Sequence, residues 1–129
     1  MDSIHIKEKF PVKPEVIYNT WLNSELHAAM IAGDADIKPE EGYQFSMWDG
    51  YISGMIISLV PNREMILSWR ADEFDEDAPD SNLDIFLEEE NGATIFRLEH
   101  YNIPEELVED YKQGWEDYYL VPMREYFTP

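Results

Sequence analysis

The chain has no cysteine, six glycines, three histidines and only nine lysines and arginines in 129 residues. Without cysteine it has neither disulfides nor thiolate metal ligands, which suits a reducing compartment. The nine basic residues stand against 28 acids, a formal net charge of -19. That balance excludes the basic stripe on which nucleic-acid binding depends, and it opposes contact with anionic membranes. No apolar run approaches the roughly 20 residues that a membrane-spanning helix needs. The opening MDSIHIKEKF has no apolar core of a signal peptide. These absences predict a cytoplasmic protein of one domain, residues 1–129, with no nucleic-acid or membrane partner. The acid excess reads as a solubilising coat whose self-repulsion weakens the fold at low ionic strength.

Enzyme motifs are missing as well. There is no GxSxG elbow, no HExxH and no glycine-rich phosphate loop. The acidic stretch ADEFDEDAPDSN lacks the central glycine and closing glutamate of a calcium loop, and reads as a solvated connection. No catalytic residue, cofactor or metal ligand is expected from any motif.

What the chain does have is aromatic rings, 14% of its residues. In SIHIKEKF, Ile4, Ile6 and Phe10 alternate with polar residues, the pattern of a half-buried strand. Pro14 then suits the first turn of a helix that carries Ile17 and Trp21. Ser24 is placed to cap a second short helix, which Gly33 ends. From Tyr43 onward, strands alternate with turns at Asp49-Gly50, Pro61-Asn62 and Asn91-Gly92. Consecutive hairpins of this kind make an antiparallel meander. Leu83, Ile85 and Leu87 share one face, as do Phe96, Leu98 and His100, and Tyr43, Phe45 and Met47.

Pro104 opens the last helix, which should cover the apolar face of that sheet. At about 100° per residue, Leu107, Val108, Tyr111, Trp115, Tyr118, Tyr119, Pro122 and Tyr126 form its apolar stripe. Gly114 sits at the stripe's edge, where a missing side chain would let helix and sheet approach closely. Pro122 leaves the Tyr118 carbonyl without its usual donor, so the helix should kink or restart there.

Three segments together carry a resemblance: FPVKPEVIYNTW, DGYISGMIISLVPNREMILSWR and NGATIFRLEHYNIPEELVEDYKQGWEDYYLVPMREYF. In this order and spacing the chain resembles the family of activators of heat-shock protein 90 ATPase, within the START-like (SRPBCC) superfamily. The resemblance implies an α+β helix-grip fold. A curved antiparallel sheet of about six strands would wrap a long C-terminal helix, with two short helices after the first strand. It also implies a cavity between sheet and helix in many relatives, and three functions. The first is non-catalytic binding of a small apolar or aromatic ligand. The second is association with a chaperone; the chain itself is expected to be a monomer or weak dimer. The third is cyclase- or hydrolase-type chemistry using His100.

For the first function, the expected ligand-binding residues are Trp21, Tyr43, Phe45, Trp69, Phe96, His100, Tyr111, Trp115 and Tyr118, with Trp48 as a further wall candidate. Ordinary core packing explains most of them taken singly, because a domain of this size buries aromatics anyway. A hydrogen-bonded structural histidine is the plainer reading of His100. His27 reads as a surface histidine, and Arg70 as half of an ion pair on the convex face of the sheet. Residues 72 to 80 could form a lid, and Trp48 or Phe74 an exposed interface.

Overall fold

A computed structural model describes residues 2–128. Nine-residue strand β1 (Asp2–Phe10) leads into helices α1 (Pro14–Trp21) and α2 (Ser24–Ile31). A two-residue strand β2 (Ala35–Asp36) follows, then β3 (Gln44–Met47), β4 (Ile52–Val60), β5 (Glu64–Ala71), β6 (Ser81–Glu90) and β7 (Ala93–Ile103). All seven strands form one antiparallel sheet in the order β1-β7-β6-β5-β4-β3-β2. The first strand lies beside the last because the two helices carry the chain from one edge of the sheet to the other. The sheet is curved around the C-terminal helical run, as in the helix-grip fold, with one strand more than the alternation predicts.

The meander forms where the turn chemistry places it. Asp49 and Gly50 both have positive φ (55° and 87°), as do Asn91 and Gly92 (53° and 83°), the paired left-handed geometry of tight hairpins. Between the turns, register stacks the inward side chains: Leu67 pairs with Leu83, Met65 with Ile85, and Ile85 with Leu98. These residues are buried, and the less decisive alternation in β5 resolves with Met65, Leu67 and Trp69 inward. A bulge interrupts β4 between Ile56 and Ser58. Near it, a Cβ on Gly54 would lie 2.1 Å from the Ser68 carbonyl oxygen, so only glycine fits there.

Two helix ends differ from expectation. Asn23, not Ser24, caps α2: its side chain accepts from the Leu26 N–H at 3.0 Å. Ser24 instead ties the helix to Ile37, donating to its carbonyl and accepting from its N–H, both at 2.9 Å. The left-handed residue that closes α2 is Ala32 (φ 54°), one position before Gly33. Gly33 is kept small by Trp48, whose indole would lie 2.3 Å from a Cβ there.

The C-terminal run contains a 3-10 turn (Glu105–Leu107), α3 (Val108–Trp115), a π turn (Glu116–Leu120) and α4 (Val121–Phe127). The Val121 N–H bonds the Glu116 carbonyl, five residues back. Pro122 has no N–H to offer, and α4 restarts with it in the first turn. The wider turn advances each residue by a smaller angle than an α turn. The buried stripe therefore passes from Trp115 to Tyr119, and Tyr118 is left 62% exposed. Tyr126 is likewise exposed. Arg124 fastens the restarted helix to the sheet edge, donating to Glu8 at 2.5 and 2.7 Å and to Glu116 at 2.6 and 3.1 Å.

Candidate functional site

The space between sheet and helix is occupied mainly by rings. Trp21 stacks on Tyr119 at 5.1 Å, Trp115 meets Tyr119 at 4.9 Å, and Trp69 meets Tyr111 at 5.1 Å. Phe10 and Phe96 extend the packing toward Phe127. Burying so many rings requires partners for their polar atoms, and two histidines supply them.

His100 is 0% exposed on β7. The Trp115 indole is a donor only, so its Nε1–H donates to His100 Nδ1 at 3.1 Å and fixes the proton on Nε2. Nε2–H then donates to Ser81 Oγ at 2.8 Å, and Ser81 donates to the Trp69 carbonyl at 2.7 Å. Register makes this geometry: Ser81 lies opposite Trp69, and His100 opposite Leu83. Burial holds the imidazole neutral, with its pKa lowered to about 3. Both ring nitrogens are engaged, so His100 offers no free lone pair for general-base work. The plainer reading of this residue is the one the geometry supports.

His27 is also 0% exposed, which corrects its reading as a surface residue. Its Nδ1–H donates to the Trp21 carbonyl at 2.7 Å, and its Nε2 accepts from the Tyr119 hydroxyl at 2.9 Å. Burial lowers its pKa to about 4 and raises that of the Tyr119 phenol. Single-chain periodicity could not have found this pair, because its members are 92 positions apart.

One part of the grip is hollow. A space of about 110 Å³ opens beside the helix, lined by Trp48, Tyr51, Ile52, Trp69, Asp110, Tyr111, Gly114, Trp115, Tyr118 and Tyr119. Trp69, Tyr111, Trp115 and Tyr118 are thus brought together as expected, and so is Trp48. Tyr118 reaches the hollow from its outer rim, not from the buried stripe. Trp21, Phe45 and Phe96 lie in the core away from it, and His100 sits behind Trp115 and Trp69. Tyr43 is remote, its hydroxyl bonded to Asp36 outside the grip. Tyr51, Ile52, Asp110, Gly114 and Tyr119 were not anticipated. Tyr51 follows the Asp-Gly turn, and only the hairpin's fold-back brings it to the helix.

The lining explains Gly114. A Cβ there would meet only Tyr118 Cδ2, at 3.9 Å, which is ordinary contact. Close packing therefore does not require the glycine; it leaves the hollow open. Trp48 adds a second cost at the same place, a non-glycine residue at φ 52°.

The acidic connection after β5 is anchored, not free. Arg70 donates to Asp80 at 2.7 Å and to the carbonyls of Ala78 and Asp75 at 3.1 Å. This is the ion pair expected of it. Phe74 is buried against Trp69 and Tyr111, so it is no exposed interface. Glu73 accepts from Tyr111 at 2.7 Å and Tyr51 at 2.5 Å, binding the connection to the hollow's edge. A wider depression of about 860 Å³ lies outside the grip, between the start of α1, the β4–β5 turn and the end of β6. It is open and mostly polar, and mixes Lys13, Arg63 and Arg97 with Glu15, Glu64, Glu88 and Glu89. Among the described residues, no group of three or more His, Asp or Glu is placed to hold a metal, and no helix is long and apolar enough to cross a membrane.

Comparison with known proteins agrees with this architecture. The chain is 30% identical over 124 residues to the activator of 90 kDa heat shock protein ATPase homolog 1 of Homo sapiens, covering 96% of this chain and 36% of the relative. It is 25% identical over 113 residues to the corresponding homolog of Dictyostelium discoideum, covering 88% of this chain and 30% of that one. The chain thus spans about a third of the length of these curated relatives. A crystal structure of an HSP90 activator from Plasmodium falciparum superposes with a TM-score of 0.86 at 23% identity, covering 92% of this chain and 91% of that one. The solution structure of the Aha1 dimer from Colwellia psychrerythraea gives 0.84 at 17% identity, with 98% and 96% covered. These two share the fold. A family model described as Activator of Hsp90 ATPase homolog 1-like protein matches residues 11–128, and the chain belongs to that family.

Proposed function

We propose that this chain is a chaperone-directed interaction domain, which engages a 90 kDa heat-shock ATPase through its outer surface and raises its ATP turnover. The observation that carries this is a contrast between inside and outside. The grip's interior is packed mainly with rings whose polar atoms find partners inside the fold, and its hollow of about 110 Å³ has room for nothing lipid-sized. The outer side of β4, by contrast, exposes Met55, Ile57 and Val60 to solvent in an otherwise heavily charged chain. Large apolar side chains exposed on one strand of a charged surface are what a protein contact would cover. The relatives named above as ATPase activators give the partner class. The test is ATP turnover by a purified 90 kDa heat-shock ATPase with and without the chain. Stimulation that saturates supports the proposal. No stimulation, together with no complex by sedimentation, overturns it.

A second reading rests on the hollow: it admits one small apolar or aromatic group. At about 110 Å³, it approaches the engineered cavity of about 150 Å³ that holds benzene. Burial of the guest's surface would drive binding at about 25 cal/mol per Å², before ordering costs. Neither reading uses His100 as a catalyst.

A further inference from the structure

The hollow's walls and rim together narrow the chemistry of what it would hold. Seven of its ten lining residues are aromatic, and three of these are tryptophans. Trp48 meets Tyr118 at 6.1 Å and Tyr119 at 5.7 Å, so the rings continue unbroken from the core to the mouth. No lysine, arginine or histidine lines the space, whereas Asp110 does. The Glu73 carboxylate stands directly behind two of the wall rings, accepting from the hydroxyls of both Tyr51 and Tyr111. A phenol that donates to a carboxylate has a more electron-rich ring. Asp72 adds a further acid beside Tyr51, and its N–H bonds the Tyr51 carbonyl at 3.0 Å.

A neutral aromatic guest would make no use of this charge, and an anion would be repelled by it. An organic cation is attracted by electron-rich ring faces and by the acids at the mouth. A compact inorganic ion would find no convergent oxygen ligands, since no metal-holding acid group is present among the described residues. An N-methylated ammonium is both apolar at its surface and cationic, and it is the group that aromatic cages recognise. Gly114 leaves space at the entrance, so a substituent on the head group can emerge into solvent.

We propose that the hollow between β4, β5 and the C-terminal helix is an aromatic cage for the trimethylammonium head of a small, choline-like molecule. This rests on the second reading above, that the hollow takes a guest, and is independent of the chaperone contact.

The test is calorimetric titration of the whole chain with choline, with its neutral tert-butyl isostere, and with a trimethyllysine peptide. Choline should bind about tenfold more tightly than the isostere. Gly114→Leu, which fills the space, should abolish binding while the circular dichroism spectrum is unchanged. Should that variant misfold, Asp110→Asn serves instead: Asp110 is exposed, and its loss should weaken choline severalfold and leave the isostere unaffected. Equal affinity for choline and the isostere overturns the cationic assignment and keeps the hollow as an apolar guest site. Failure of every probe to bind overturns both. A peptide that binds tenfold more tightly than choline overturns the free small molecule as the occupant.

Discussion

Acid should unfold this protein through its two buried histidines. In the unfolded chain both have the ordinary pKa of 6.5; in the fold, burial lowers His27 to about 4 and His100 to about 3. Between these limits the unfolded state binds more protons than the native state, so stability rises with pH through that window. The contribution is complete above pH 6.5 and is lost progressively as the pH falls toward the folded values. Below pH 6.5 the loss steepens toward about 1.4 kcal/mol per pH unit for each histidine, so between pH 6.5 and pH 5 the pair removes about 3 kcal/mol. That is a large share of the 5–15 kcal/mol typical of a whole domain. The surface acids act in the opposite sense. As they protonate at lower pH they relieve the repulsion of a chain with net charge -19, which masks part of the loss. The assay is therefore comparative: urea unfolding followed by tryptophan fluorescence at pH 5, 6, 7 and 8, for the native chain and for His27→Gln and His100→Gln. Each variant should be less stable at pH 8, since it disturbs Trp21 and Tyr119 or Trp115 and Ser81. Between pH 5 and 6 each should also show a pH slope smaller than the native chain's by about 1.2 kcal/mol per unit. Equal slopes, or a native-state histidine of this pair titrating near pH 6.5 by NMR, would refute the reasoning.

Three further outcomes are expected. Gly114→Ala should stabilise the fold by about 0.5–1 kcal/mol, because alanine suits a helix better and the site has room for its methyl; a fall in Tm would restore the close-approach explanation. Arg70→Ala removes three hydrogen bonds to the acidic connection, so hydrogen exchange across residues 72 to 80 should quicken while β6 and β7 stay protected; unchanged exchange would show that Phe74 and Glu73 suffice to anchor the segment. Sodium chloride added from very low levels should raise Tm by screening the surface acids; a flat or falling curve removes electrostatic strain from the energetics.

The sheet was legible in the sequence because its signals are local. Alternation in Leu83, Ile85 and Leu87, and in Phe96, Leu98 and His100, reports which face is buried, and Asn-Gly and Asp-Gly report where the chain reverses. The helical cover was legible down to Trp115. Beyond it the stripe held at Tyr119 but not at Tyr118 or Tyr126, because an i→i+5 turn has no periodic signature of its own. Pro122 marked the break, but which of the two expected tyrosines, Tyr118 or Tyr119, stays buried needed coordinates. His27 was misread for a different cause: the partner that makes a buried histidine tolerable, Tyr119, lies on the far side of the fold. The hollow was half legible. Trp69, Tyr111 and Trp115 declared themselves as core-facing rings, whereas Tyr51 and Asp110 entered through tertiary folding, and Gly114 through the space it leaves empty.

The decisive comparison is the ATP turnover of a 90 kDa heat-shock ATPase with three forms of this chain: native, Met55→Glu with Ile57→Glu, and Gly114→Leu. If the partner is met on the outer face, the native and Gly114→Leu chains stimulate alike, and the doubly substituted chain does not, though its Tm is unchanged. If instead the plugged chain is inactive and the doubly substituted chain stimulates normally, the working surface lies inside the grip and the outer-face proposal is wrong.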